Sequence, residues 1–337
     1  MKKIVVIAFM ISLSALVSLA GCANEVVDTG EQGEGHPLEG SSNENYVMIT
    51  FLSGIEYWKD AYRGFEEAGH HFGVQTQYTG ASQYDINEQV TVFEQIVAQN
   101  PDGILLTAIN PSALEEPINR AIEAGIPVIT FDADSGESQR YSFLATSNYD
   151  AGVTAARELA SLVGETGEVG VITVPGQQNH EDRTQGFVDT IETEFSKMDV
   201  VAIQDGESDQ IAASNTMSGM IQSHPDLVGV FTTEASTGVG AGTAVQEANK
   251  VGDISIVSFD TDRGTLDMIK NGVIDATLAQ GTWNMGYWGM NFLFHLRHDL
   301  LNPVSDWRTA EVSPLPTSVD TGVAIVNEDN VDYYYAD

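Results

Sequence analysis

Ala121-Ile-Glu-Ala-Gly-Ile-Pro-Val-Ile-Thr-Phe-Asp132-Ala-Asp134 is the stretch on which the fold turns. A helix runs out at Gly125, and Pro127 opens a short run rich in β-branched residues. Val128 to Phe131 has the composition of a parallel strand buried on both faces. Two carboxylates, Asp132 and Asp134, follow its C-terminal end. In open α/β sheets, small ligands bind in the crevice beyond the C-terminal ends of the strands. Ionised carboxylates placed there accept strong hydrogen bonds from O–H donors, so the position suits a hydroxyl-rich ligand.

Outward from this point the pattern alternates between strand and helix. Upstream, Tyr46–Leu52, Val74–Tyr78 and Gly103–Thr107 have strand character. Helical spacing separates them over Tyr57–Phe72 and Ile86–Gln99, and a further helix follows Asn110-Pro111-Ser112 and runs through Ala124. Downstream, after a strand at Ser142–Thr146 and a helix from Asn148 to Val163, the alternation continues to a strand at Ala276–Ala279. Within that second run Thr184–Phe195 has helical character. An apolar, aromatic helix then spans Met285 to about Leu296. Such alternation predicts parallel βαβ units with right-handed crossovers, hence an α/β fold of doubly wound parallel sheets. No sequence repeat has a fixed period, but two successive halves of similar size suggest a duplicated architecture.

Composition narrows the function. A chain of 337 residues is long enough for about two domains. Only 14 Lys and Arg stand against 49 Asp and Glu, a net charge of −35, which argues against nucleic acid as a partner. The single cysteine, Cys22, rules out an internal disulfide framework and a multi-cysteine metal site. Met1-Lys2-Lys3, the apolar run Ile4–Val17 and the following Leu19-Ala20-Gly21-Cys22 read as an export signal over residues 1–21. That tetrapeptide resembles the bacterial lipoprotein signal, which implies cleavage before Cys22 and a lipid on its thiol; a plain secretory peptide is the alternative. Residues 22–45 are polar and without apolar periodicity, as in a flexible tether, so folding is expected from Tyr46.

Gly64-Phe-Glu-Glu-Ala68, Asp102 to Pro111, Ala124 to Asp132 and Arg183-Thr-Gln-Gly-Phe187 carry a more specific likeness. Ser223-His-Pro-Asp226, Val257-Ser-Phe-Asp260 and Ala276-Thr-Leu-Ala-Gln280 extend it. Together, in this order, they resemble the type I solute-binding proteins of bacterial ABC sugar importers, in the ribose-binding group. The resemblance implies two lobes joined by a multi-strand hinge, closing on a ligand held between them. It places one lobe at 46–146 plus 281–306 and the other at 147–280 plus 307–337. The crossings fall near Thr146–Asn148, near Gln280–Gly281 and somewhere in Trp307–Pro316.

The same resemblance nominates ligand residues. Tyr57 and Trp58 fall where relatives place aromatics against the sugar ring, Trp58 being favoured; otherwise Trp58 begins a core helix. Asp132 matches the family's sugar-binding aspartate, whereas Ala133 replaces an expected arginine, and Asp134 extends the acidic end. Arg183 matches the ligand arginine, able to fork two donors onto hydroxyl oxygens, with Gln178, Asn179 and His180 on the preceding loop. Glu234 stands where ribose binders carry asparagine, Asp260 matches a second aspartate, and Gln280 ends a strand at the crossing. Trp283 is an extra aromatic near the hinge.

These features lead to the expectation of a lipid-anchored, extracytoplasmic and monomeric receptor. It would capture a monosaccharide or related polyol and hand it to a membrane ABC permease, with no cofactor and no metal. His295 and His298 have helical spacing for a metal pair, but no third ligand is evident. The alternatives are a receptor presenting a sugar or furanosyl autoinducer to a sensor kinase or chemoreceptor, and an enzyme using Asp132 and Asp260 as an acid/base pair.

Overall fold

The computed structural model describes residues 39–335, apart from 305, 308 and 311. The export signal, Cys22 and most of the tether therefore lie outside the described residues. The tether is shorter than expected at its folded end. The Gly40 N–H donates to the Phe72 carbonyl, and Glu44 binds the His298 ring (2.8 Å), so 39–44 already pack on the first lobe.

In the first lobe, β1 (Asn45–Thr50), α1 (Tyr57–Phe72), β2 (Gln75–Gly80), α2 (Ile86–Val97), β3 (Gly103–Leu106), α3 (Pro111–Glu123), β4 (Val128–Phe131) and β5 (Phe143–Ala145) follow in order. The second lobe runs through α4 (Asn148–Val163), β6 (Gly167–Thr173), α5 (Gln178–Glu194), β7 (Met198–Asp205), α6 (Gln210–Ser223), β8 (Leu227–Thr232), α7 (Ala235–Glu247), β9 (Ser255–Phe259), α8 (Arg263–Lys270) and β10 (Ala276–Gln280). The chain then returns through α9 (Thr282–Arg297) and β11 (Ser318–Asp320) to the first lobe, and ends in β12 (Val323–Asn327) of the second.

The two sheets have the same strand order, β11-β5-β4-β3-β1-β2 and β12-β10-β9-β8-β6-β7. All pairings are parallel except β10 with β12. This realises the duplication suggested by the sequence, and it makes β4 and β9 equivalent strands. Every residue of β3 and β4 is buried, as strands covered by helices on both faces must be. Side chains fix several helix starts: Asp85 caps α2, Asn110 caps α3, Asp209 caps α6 and Glu234 caps α7.

In each lobe a close helix pair sits beside a crossing. A Cβ on Gly64 of α1 would come within 2.2 Å of the Trp283 carbonyl oxygen, and one on Gly286 of α9 within 1.8 Å of Ala61 O. In the second lobe a Cβ on Gly152 of α4 would meet Arg183 O at 2.0 Å, and one on Gly186 of α5 would meet Tyr149 O at 2.0 Å. Only glycine allows these backbones to touch. In both lobes the partner helix, α9 or α4, is the one that begins immediately after a crossing.

The C-terminal part of the chain divides differently from the expectation. Trp307 and Leu315 are buried in the first lobe's core, Trp307 packing edge-on against Tyr141, and β11 pairs with β5. The third crossing is therefore at Thr321–Gly322, beyond the Trp307–Pro316 window, and Trp307, Leu315 and β11 belong to the first lobe. The strand before this crossing, β11, is only three residues long, with exposed Ser318 and Asp320, and leaves no periodicity to read. This crossing bonds to both others: Thr321 N–H donates to Ala145 O, and Gly281 N–H donates to Gly322 O (3.2 Å). No helix of the described residues is long and apolar enough to cross a membrane.

Candidate ligand cleft

Asp132 and Asp260 follow the last residues of β4 and β9, one from each lobe. Both have left-handed backbones, with φ of 61° and 64°. The Tyr57 hydroxyl at the start of α1 donates to Asp132 Oδ1 at 2.8 Å. Gln280 Nε2 at the end of β10 donates to Asp260 Oδ1 at 2.8 Å. Each carboxylate thus holds one donor from its own lobe, and Asp132 also has the Thr107 hydroxyl as a hydrogen-bonding neighbour. Burial raises both acids above the ordinary carboxylate range, Asp260 to about 6, while Arg183 pulls each back down.

Arg183 is the cation between them. It is only 3% exposed. Its Nε donates to Asn148 Oδ1 (2.9 Å), its Nη1 donates to the Thr233 carbonyl (2.8 Å), and its guanidinium carbon lies 3.6 Å from the Phe259 ring centroid. Burial opposes its charge, and Asp260, Asp132 and Glu234 restore it. Beside it His180 is buried, with Nδ1 3.0 Å from Thr233 Oγ1. Burial and the Arg183 charge lower His180 to about 4, so the ring is neutral at pH 7. Burial and the charges of Asp132 and Asp260 push Tyr57 up, which keeps its phenol a donor.

Tyr57, Asp132, Arg183, Asp260 and Gln280 are thus brought together by residues from both lobes. The other expected site residues stand differently. Trp58 is 1% exposed and lies in the first lobe's core, edge-on to Phe51, Tyr57 and Phe131. Its indole N–H is buried with no hydrogen-bond partner. The order of preference between the two aromatics is therefore reversed: Tyr57 lines the cleft and Trp58 supports it from behind. Asp134 is committed elsewhere. It forks onto Arg140 (2.7 and 2.6 Å) and also accepts from Thr130 Oγ1 (2.6 Å) and Ser135 N–H (2.8 Å). It fixes the loop behind Asp132.

Glu234 accepts from the Thr237 N–H (3.0 Å) and from the Ser236 hydroxyl (2.6 Å), so its oxygens cap α7 while its charge faces Arg183. Asn179 is half-buried and makes no side-chain hydrogen bond to a described residue. It does not lie on a loop, because α5 starts at Gln178 rather than Thr184. Gln178, Glu181 and Asp182 make the first turn polar, so it lacks the apolar spacing that marks a helix. Arg183 thereby sits within α5 and not ahead of it.

Asn148, which holds the Arg183 Nε, was not foreseen as a site residue; its signal is its place just beyond the first crossing. Thr261, Asp262 and Arg263 line the same cavity as Tyr57, Asp260 and Gln280. Among the described residues no cluster of three His, Cys, Asp or Glu side chains is placed to hold a metal ion. His298 is taken up by Glu44 and stacks on Phe294.

Two parallel-sheet lobes that present polar groups to one another across a three-strand hinge define a class of binding proteins. The chain belongs to the periplasmic binding protein family: residues 46–297 match the family described as periplasmic binding protein domain. It is 25% identical over 283 residues to the ribose import binding protein RbsB of Bacillus subtilis (strain 168), covering 83% of this chain and 88% of that one. The crystal structure of a sugar ABC transporter sugar-binding protein from Bacillus halodurans is 50% identical, with a TM-score of 0.84, over 87% of this chain and 100% of that one. AraP, an arabinose binding protein from Geobacillus stearothermophilus, is 51% identical with a TM-score of 0.83, over 87% and 99% of the two chains. These relatives are sugar-binding proteins of transporters, and the periplasmic binding proteins of ABC importers work outside the cytoplasm.

Proposed function

We propose that the chain is a lipid-anchored receptor that captures a monosaccharide, arabinose first among the aldopentoses, between its lobes and delivers it to an ABC permease. One observation carries this reading: acceptors and donors for hydroxyl groups converge from both lobes, with Asp132 and Tyr57 on one side and Asp260, Gln280 and Arg183 on the other. The identity to AraP supports arabinose as cargo. Ionised Asp132 and Asp260 accept sugar hydroxyl protons, and Arg183 donates to a ring or hydroxyl oxygen through Nη2, which has no hydrogen bond among the described residues. A ligand touching both lobes favours the closed form in proportion to its differential contacts, and no bond is made or broken.

Anchoring rests on Leu19-Ala20-Gly21-Cys22; Cys22→Ser is expected to move the protein from the membrane to the soluble fraction. The receptor works as a monomer, which light scattering on the purified chain checks. The deciding experiment for cargo is a thermal-shift and calorimetry screen of the full chain in detergent against pentoses, hexoses and polyols. Ligand at ~100 times its dissociation constant adds about 2.7 kcal/mol of stability. The absence of any sugar response from folded protein stripped of carried-over ligand would sink the proposal.

A further inference from the structure

The segment after β12 builds a wall for which the sequence suggested no role. Val331–Tyr334 forms a single 3-10 turn held against α8 of the second lobe. The Tyr335 hydroxyl donates to Asp267 (2.8 Å), the Lys270 ammonium lies 4.7 Å from its ring centroid, and Lys270 pairs with Asp332. Tyr334 and Tyr335 are thereby fixed on the rim of a cavity whose inner end is Tyr57, Asp260 and Gln280. Glu56, Lys59 and Asp60 of the first lobe form the facing wall.

The same two tyrosines continue into an adjoining groove that runs past the crossing residues Gly281 and Gly322 to Trp283 and Tyr333. Trp283 stacks on Tyr287, with centroids 4.6 Å apart and planes 13° apart, so its ring is held rigidly at the groove. Tyr333 is 89% exposed. The cavity and a groove with four aromatic rings share Lys59, Asp60, Gln280, Thr282, Tyr334 and Tyr335 in their walls.

We propose that this groove is a second sugar subsite, which takes the further units of a short oligosaccharide whose terminal ring occupies the cleft. Aromatic rings offer flat apolar faces to the C–H faces of sugars, and the charged wall takes the hydroxyls at the ring edges. The Trp283 and Tyr335 rings are held in advance and lose little freedom on binding. This rests on the reading of the cleft as a sugar site.

The test is calorimetry of the full chain with arabinose, 1,5-linked arabinobiose and arabinotriose. The variants Tyr333→Ala and Trp283→Ala, at residues that line the groove but not the inner cavity, are measured alongside, their folding checked by circular dichroism. Arabinobiose is expected to bind at least tenfold more tightly than arabinose. Each substitution is expected to cut that advantage severalfold while arabinose affinity holds. Arabinobiose binding no tighter than arabinose, or a tenfold advantage untouched by both substitutions, overturns the subsite and leaves the cleft reading standing. Failure of all three sugars to bind overturns both.

Discussion

Asp132 and Asp260 are the same residue twice: each leaves the equivalent strand of its lobe in a left-handed backbone and holds one neutral donor, Tyr57 or Gln280. The two carboxylates share a single buried guanidinium, Arg183, whose charge acts on both. That arrangement makes the cleft electrostatically short of cations, and several outcomes follow from it.

Burial raises Asp260 from 3.8 to about 6, so the folded protein holds its proton more tightly than the unfolded chain does. Its contribution to stability is full below the unfolded value near 4 and is lost as pH rises through about 6. Asp260→Asn lacks this dependence. Relative to wild type, the variant is expected to gain on the order of 2 kcal/mol between pH 4 and pH 7. Urea melts across that range check it; a parallel response of both proteins contradicts the cause given. Sugar affinity of the wild type should fall as pH drops through about 6, because the protonated acid is the poorer acceptor.

Removing Arg183 leaves two buried acids facing one another without their cation. Arg183→Ala is expected to cost about 3–5 kcal/mol of stability and to abolish sugar binding. Arg183→Lys should fold better but bind poorly, since an ammonium cannot reproduce the fork held by Asn148 and the Thr233 carbonyl. Calorimetry on the lysine variant separates the two effects.

The two neighbouring aromatics should respond in opposite ways. Tyr57→Phe removes the donor to Asp132 and is expected to weaken sugar binding about tenfold with little loss of stability. Trp58→Phe removes no protein hydrogen bond and should alter affinity by less than about threefold, while the lost volume costs about 1–3 kcal/mol. A large affinity loss in Trp58→Phe with Tyr57→Phe unchanged would restore the original preference.

Asp134→Asn breaks a forked pair with Arg140, whose side chain is only 8% exposed. The expected loss is about 1–3 kcal/mol in a thermal melt, with sugar affinity of the folded variant nearly unchanged. An affinity loss matching that of Asp132→Asn would place Asp134 in the cleft instead.

Gly64→Ala and Gly152→Ala push a methyl into a carbonyl oxygen 2.2 and 2.0 Å away, and no side chain can yield there. Each should destabilise by about 1–3 kcal/mol and weaken ligand binding as well, because α1 and α5 carry Tyr57 and Arg183. Chemical denaturation with calorimetry tests both arms.

The alternation of strands and helices was largely legible in the residues. Val128–Phe131 and Ile256–Phe259 are buried strands ending in aspartate, and such strands announce both their burial and their functional ends. What stayed hidden was structure without periodicity: the polar first turn of α5, the three-residue β11 and the 3-10 turn carrying Tyr334. Side-chain allegiance was hidden too. Nothing in the order Asp-Ala-Asp tells that Asp132 meets Tyr57 while Asp134 turns to Arg140, six residues on. Trp58 and Tyr57 are adjacent on a helix and thus point about 100° apart, which turns Tyr57 to Asp132 and Trp58 into the core.

The glycine contacts between α1 and α9 and between α4 and α5 act as couplings in a drive train. The first two crossings each feed into a helix, α4 or α9, that is meshed to the helix carrying Arg183 or Tyr57. A rotation at 146–147 or at 281 thus reaches Arg183 and Tyr57 with no slack to absorb it. Opening of the lobes and dispersal of the groups in the cleft become one motion.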